Sequence, residues 1–218
     1  MSEFSLEGPE IKPASGGKAK QLVILLHGLG ADGNDMIDLA PAFARNLPDA
    51  HFISPNAPFP CDMAPFGFQW FSLVSYTPDA MFEGAKIAEP ILNNFIDEQL
   101  ERFGLEDKDL ALVGFSQGTM MSLHTSIRRK KPCAGVLGYS GALLDYEPLA
   151  DIVLSKPPVC LVHGMADPVV PFAALEYAYQ GLNAVDIPVE QHARPMLPHG
   201  IDPEGIEIGR KFLKRVFG

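Results

Sequence analysis

Short β-rich runs alternate with longer stretches of helical periodicity from Gln21 to Phe217, and few architectures accommodate that pattern. Gln21–Leu26 reads Gln-Leu-Val-Ile-Leu-Leu, an almost unbroken apolar run expected of a strand covered on both faces. Further strands are expected at His51–Ser54, Asp109–Val113, Gly135–Tyr139, Val159–Val162 and Pro188–Gln191. Helices are expected at Asn34–Leu47, Pro78–Phe103, Gln117–Arg129, Phe172–Leu182 and Pro203–Phe217. In Pro78–Phe103 the inner face reads Met81, Phe82, Ala85, Ile87, Ala88, Ile91, Leu92, Phe95, Ile96 and Leu100; Pro90 either kinks the helix or divides it. The series implies an α/β fold, a mostly parallel sheet with helices on both faces. Phe4–Lys12 is expected to pair antiparallel with Gln21–Leu26 across Ala14-Ser15-Gly16-Gly17.

No repeat or linker interrupts the pattern, so residues 1–218 read as one domain. Asn56–Thr77 stands apart, rich in proline and aromatics but without a clear period. A loop this long in a compact domain points to a substrate-side role. Seventeen basic against twenty-seven acidic residues leave a net charge of −10, which argues against a nucleic-acid backbone or an anionic membrane as partner. Cys61, Cys133 and Cys160 are too few and scattered for a disulfide framework or a cysteine-based zinc site. The start Met1–Gly8 is acidic and has no apolar h-region, and no apolar run approaches the roughly 20 residues that span a bilayer. A soluble, cytoplasmic protein, monomer or homodimer, is the expectation.

Gly114-Phe115-Ser116-Gln117-Gly118 matches G-x-S-x-G. The string alone is weak, but here it follows a buried strand and opens a helix. A nucleophile elbow requires that setting, because flanking glycines allow a tight turn to hold the serine in a strained conformation. The serine then projects at a helix N-terminus, whose dipole favours developing negative charge. A hydroxyl nucleophile needs an imidazole to take its proton and an acid to orient that imidazole, in the order Ser, Asp/Glu, His. Asp167 in His163-Gly164-Met165-Ala166-Asp167-Pro168 and His199 in Leu197-Pro198-His199-Gly200 follow later strands and fit those places. Asp145 and Asp151 compete as the acid, though both read better as solvated loop carboxylates. His192 is expected at its strand end. His163 and Asp167 at i, i+4 lack a third metal ligand, and His163 reads as a structural hydrogen-bonding residue. The backbone N–H groups of Gln117 and of Leu29 in His27-Gly28-Leu29-Gly30 are the expected oxyanion donors. His27 is expected to give structural support, and Ser140 to form a loop beneath the site.

Four segments together resemble the phospholipase/carboxylesterase family: Leu26-His27-Gly28-Leu29-Gly30-Ala31-Asp32-Gly33, Gly114–Gly118, His163–Pro171 and Pro198-His199-Gly200. That family includes the acyl-protein thioesterases and small bacterial carboxylesterases of α/β-hydrolase fold. The resemblance implies Ser116 as nucleophile, Asp167 and His199 as its partners, and Leu29 and Gln117 as oxyanion donors. It implies hydrolysis of carboxylic esters or thioesters of modest acyl length, without metal or cofactor. Two positions depart from the family pattern. Trp70-Phe71-Ser72 stands where Trp–aromatic–Asp is common, and Pro198 precedes the histidine where glycine is frequent.

Met63, Phe66, Phe68, Trp70, Phe71 and Leu73 either form an apolar wall for an acyl chain or pack beneath their own loop; both readings stand at this level. The expected activity is serine-dependent hydrolysis of esters with short to medium acyl chains. The alternatives are an acyl-protein thioesterase, a lysophospholipase, a peptidase using the same triad, or a binding protein that has lost catalysis.

Overall fold

In chain order the elements are β1 (Glu10–Ile11), β2 (Gln21–Leu26), α1 (Gly33–Ile37), α2 (Ala40–Ala44), β3 (Ala50–Ile53), β4 (Phe59–Pro60), β5 (Phe68–Gln69), α3 (Pro78–Phe103), β6 (Leu110–Phe115), α4 (Gln117–Ser126), β7 (Gly135–Tyr139), α5 (Leu149–Ile152), β8 (Val159–Gly164), α6 (Ala173–Ala184), β9 (Val189–Arg194) and α7 (Pro203–Val216). They come from a computed structural model that describes residues 6–144 and 148–218. One seven-stranded sheet runs in the order β1-β3-β2-β6-β7-β8-β9. All its pairings are parallel except that of β1 with β3. A separate antiparallel pair, β4 with β5, lies in the 56–77 loop.

Strand periodicity divides the core into two layers. Leu22, Ile24 and Leu26 of β2, with Leu110 and Leu112 of β6, face α3, α4 and α6. Val23 and Leu25, with Ala111 and Val113, face α1, α2 and α7. The apolar run of β2 therefore fills both layers, as a central parallel strand must. It also explains why β1 pairs with β3 rather than with β2. Both edges of β2 are occupied, by β3 and β6, so only the outer edge of β3 is open to an N-terminal strand. Phe4 and Ser5 of the expected segment lie outside the described residues.

The helix expected over Asn34–Leu47 is two helices. Asp32 caps α1 by accepting from the Asn34 N–H at 2.7 Å, and α2 starts around Pro41, which has no N–H to continue the ladder of α1. By contrast α3 runs unbroken through Pro90 for 26 residues. Thr77 caps its start by accepting from the Ala80 N–H, and Gly104 ends it in the left-handed region at φ 67°. Its buried stripe includes Ala85, Ala88, Leu92, Phe95 and Ile96, whereas Ile87 falls off that stripe and faces solvent. Every residue of α4 is buried, because it lies between the sheet and α3.

Replacing Leu112, fully buried at the centre of β6, with Ala is expected to cost about 2–5 kcal/mol in urea unfolding. The exposed Ile87→Ala should cost less than about 0.5 kcal/mol. Equal losses would contradict this placement of the core.

Candidate active site

The parallel strands deliver their C-terminal ends to one side of the sheet, where loops can meet a ligand. At the end of β6 the backbone turns abruptly at Ser116, which has φ 53° and ψ −117°. A non-glycine residue rarely occupies the left-handed side of φ space, and the cost is of order 1–3 kcal/mol. The surroundings enforce it. A Cβ on Gly114 would stand 2.4 Å from the Thr119 N, and one on Gly118 would stand 1.9 Å from the Leu26 carbonyl oxygen. Only glycines let β6, α4 and β2 approach so closely. The Ser116 N–H donates to the Tyr139 carbonyl at 2.9 Å and anchors the turn to β7.

Asp167 lies beyond β8 and His199 beyond β9. The His199 Nδ1–H donates to Asp167 Oδ2 at 2.7 Å, while Asp167 Oδ1 accepts from the N–H groups of Val169 at 2.8 Å and Val170 at 2.9 Å. Burial opposes charge on Asp167, but these three donors outweigh it and hold the carboxyl below the usual range. An imidazole whose Nδ1–H is held by a carboxylate presents Nε2 as its lone pair. The histidine loop is itself clamped. Arg194 at the end of β9 donates to Asp202 at 3.0 Å, and Asp202 caps α7 by accepting from the Gly205 N–H. The Ala166 N–H donates to the Leu197 carbonyl at 3.1 Å, which ties the histidine loop to the loop that carries Asp167.

Ser116, His199, Leu29 and Gln117 all line one cleft of about 660 Å³. Among the described residues, the N–H groups of Leu29 and Gln117 donate to no protein acceptor. The Gln117 side chain braces the wall of the site. Its Oε1 accepts from the Trp70 N–H at 2.8 Å, and its Nε2 donates to the Phe71 carbonyl at 2.7 Å. The Trp70 indole N–H donates to the His27 carbonyl at 3.0 Å. The Ala57 N–H donates to His27 Nε2 at 2.9 Å, so the ring proton sits on Nδ1, which donates to the Gly28 carbonyl at 2.7 Å. Burial lowers the His27 pKa, and both ring nitrogens are committed to holding the loop.

Of the six apolar residues considered for an acyl wall, only Leu73 lines the cleft. Trp70 and Phe71 are buried in the core beneath it, because their backbone is drawn down by Gln117 and the Trp70 indole by His27. Phe68 sits in β5, packed against the core without lining the cleft. Met63 and Phe66 face solvent. The apolar lining comes instead from Met81 of α3, Met120 of α4, and Ala142, Val170 and Ala174. Met81, Met120, Ala142 and the Val170–Ala174 pair come from four separate stretches of the chain.

Asp151, His192, His163 and Ser140 do not line the cleft. Asp145 lies outside the described residues, and Asp151 is exposed on α5. His192 lies within β9 rather than at its end, because the strand runs on to Arg194. The His163 Nε2–H donates to the Val170 carbonyl at 2.9 Å, a structural bond. Ser140 is buried at φ 45°, its N–H donating to the Val162 carbonyl at 2.9 Å. Cys160, Glu190 and His192 offer ligand atoms within 4.8 Å of one another on β8 and β9. Burial, reinforced by Glu190, pushes the Cys160 thiol far up, and Arg215 already occupies Glu190 at 2.8 Å. That set is poorly prepared to hold a cation.

Sequence comparison matches the phospholipase/carboxylesterase family over residues 7–217. The chain belongs to that family. It is 30% identical to acyl-protein thioesterase 1 of Emericella nidulans, covering 89% of this chain and 89% of that protein. It is 27% identical to esterase YpfH of Escherichia coli, covering 97% and 87%. The crystal structure of esterase PE8 superposes with a TM-score of 0.92 at 38% identity, covering 97% of this chain and 99% of that one. The chain is thus a hydrolase of α/β-hydrolase fold. Where the family commonly has an aspartate after its aromatic pair, the Ser72 hydroxyl here donates to Asp62 across the loop. Among the described residues, no helix is long and apolar enough to cross a membrane.

The lowered pKa of Asp167 has a defined sign. Its contribution to stability is complete above the ordinary aspartate value near 3.9 and fades as pH falls through the lower folded value. Urea midpoints taken between about pH 5 and pH 3 should fall more steeply for the wild type than for Asp167→Asn. Parallel profiles would mean that the carboxyl is not stabilised in its charged form.

Proposed function

We propose that the protein is a serine hydrolase that cleaves carboxylic esters and thioesters of short to medium acyl chains through an acyl-enzyme. The observation that carries this is the 2.7 Å hydrogen bond from His199 to Asp167 beside a cleft that Ser116 shares. Ser116 Oγ attacks the acyl carbonyl carbon while His199 Nε2 takes its proton. Asp167 keeps the proton of the other ring nitrogen in place and stabilises the imidazolium. The carbonyl oxygen becomes an oxyanion facing the N–H groups of Leu29 and Gln117, with the N-terminus of α4 behind it. His199 then hands its proton to the departing alcohol or thiol, leaving the acyl group on Ser116. Water, deprotonated by the same imidazole, attacks that ester and restores the serine.

Neither amide has to break a protein hydrogen bond to receive the oxyanion, and His27 keeps the Leu29 loop from shifting. Electrostatic stabilisation is worth most when its donors are fixed in advance. The acyl chain fits the apolar part of the cleft between Leu73, Met120 and Val170.

Ser116→Ala is expected to lower kcat/KM for a p-nitrophenyl ester by about 10³-fold or more and to abolish labelling by a fluorophosphonate probe. Retained labelling would place the nucleophile elsewhere, and an unlabelled, inactive wild type would make the chain a binding protein. Across acetyl, butyryl and hexanoyl p-nitrophenyl esters, kcat/KM should rise by up to about fourfold per added methylene, the equivalent of about 0.8 kcal/mol. A flat series would remove the acyl chain from the cleft.

A further inference from the structure

The residues that line the cleft fall into two sets of different chemistry, here called arms, one from each layer of the core, with Ser116 at the strand end between them. Leu73, Met81, Met120 and Val170 line the first arm from the layer that faces α3, α4 and α6, with no charged group on that side among the described residues. Asp35, Met36, Leu39 and Ile201 line the second, with Met36, Leu39 and Ile201 packing in the layer that faces α1, α2 and α7. His199 belongs to the second arm. Its ring centroid lies 4.8 Å from that of Phe115, and Phe115 and the nearby Ile201 both pack in that layer. The imidazole that accepts the serine proton must deliver it to the departing oxygen or sulfur, so the leaving group has to lie beside His199. The acyl chain is left with the first arm, and the alcohol or thiol with the arm that holds Asp35.

That arm is electrostatically one-sided. All seventeen Lys and Arg residues lie among the described residues, and none lines the cleft. Asp35 is the only carboxylate among the described residues that does, and Asp32 caps the same short helix one turn earlier. Their charge is felt inside the wall. Burial lowers the His27 pKa, but Asp32 and Asp35 both act against it by favouring positive charge on that ring. A net charge of −10 adds to the bias.

Resting on the serine-hydrolase reading, we infer that Asp35 sets the charge preference for the leaving group. Esters and thioesters that release a neutral or cationic alcohol or thiol are favoured, and those that release an anionic one, carrying a phosphate or sulfonate, are turned over poorly. An anion placed in this arm meets the Asp35 carboxylate and no Lys or Arg, whereas a quaternary ammonium gains from the same field.

Three butyryl thioesters test the inference: those of thiocholine, of the neutral isostere 3,3-dimethylbutanethiol, and of 3-mercaptopropanesulfonate, with thiol release measured at low ionic strength. Each kcat/KM is divided by that thioester's own rate with hydroxide, which removes differences in intrinsic reactivity. The order expected is cationic, then neutral, then anionic. The cationic-to-anionic ratio should fall about fivefold in Asp35→Asn, a variant that keeps a side-chain oxygen for the Asp32 N–H. In the wild type the same ratio should shrink as NaCl is raised to about 0.5 M, where screening acts within a few ångströms. A ratio that is the same in both proteins, or insensitive to salt in the wild type, overturns the role of Asp35. Thiol release that persists in Ser116→Ala would instead overturn the serine mechanism, so the two failures are distinct.

Discussion

The left-handed turn at Ser116 is the constraint around which the site is arranged. It is costly in isolation and persists because β6, α4 and β2 converge on it with no room for another path. The glycines at 114 and 118 remove the side chains that would hold those backbones apart. The contact between the start of α4 and the Leu26 carbonyl brings the loop after β2 alongside Ser116. One close approach therefore brings the hydroxyl, the helix N-terminus and the two candidate oxyanion amides to one side of the cleft. Burial of α4 along its whole length keeps that approach from relaxing.

A second layer of polar contacts makes the cleft wall rigid. Gln117 grips the Trp70–Phe71 backbone, Trp70 grips the His27 carbonyl, and His27 grips Ala57 and Gly28. All these groups are buried, so leaving any one unpaired would cost its desolvation in full. The chain segments after β2, in the 56–70 loop and at the start of α4 are thereby joined into one unit. Trp70 and Phe71 serve this unit from below instead of facing a ligand, whereas Tyr76 of the 56–77 loop lines the cleft. The Arg194–Asp202 contact and the Leu197 carbonyl do the equivalent work for His199, fixing a loop that regular backbone hydrogen bonding would leave loose.

Much of the fold was legible because its signals are local. The run Gln21–Leu26 announced a strand covered on both faces, and the period of α3 announced its buried stripe, with Ile87 the exception. The pairing of β1 was misread because a strand's partner depends on which sheet edge remains free, and no local pattern encodes that. The split between α1 and α2 was written in Pro41 but hidden by apolar periodicity that runs across the break. Ser116, Asp167 and His199 stand out as candidates in the sequence because each follows a strand with its own turn signature, and the structure joins the last two by a hydrogen bond. The cleft lining could not be named that way. Met81, Met120, Ala142 and Val170 are ordinary core-type residues that become a wall only when α3, α4 and the loops after β7 and β8 meet.

Sequence by itself determined the alternation of strands and helices, the glycine-flanked serine, and the order of acid and imidazole after it, since each depends on residues adjacent in the chain. Only the tertiary structure decided which aromatics sink into the core, which side chains line the cleft, and on which side of Ser116 the Asp35 carboxylate falls. Those outcomes depend on distances between segments tens of residues apart, and packing sets such distances through the close approach of backbones and the burial of shared hydrogen bonds.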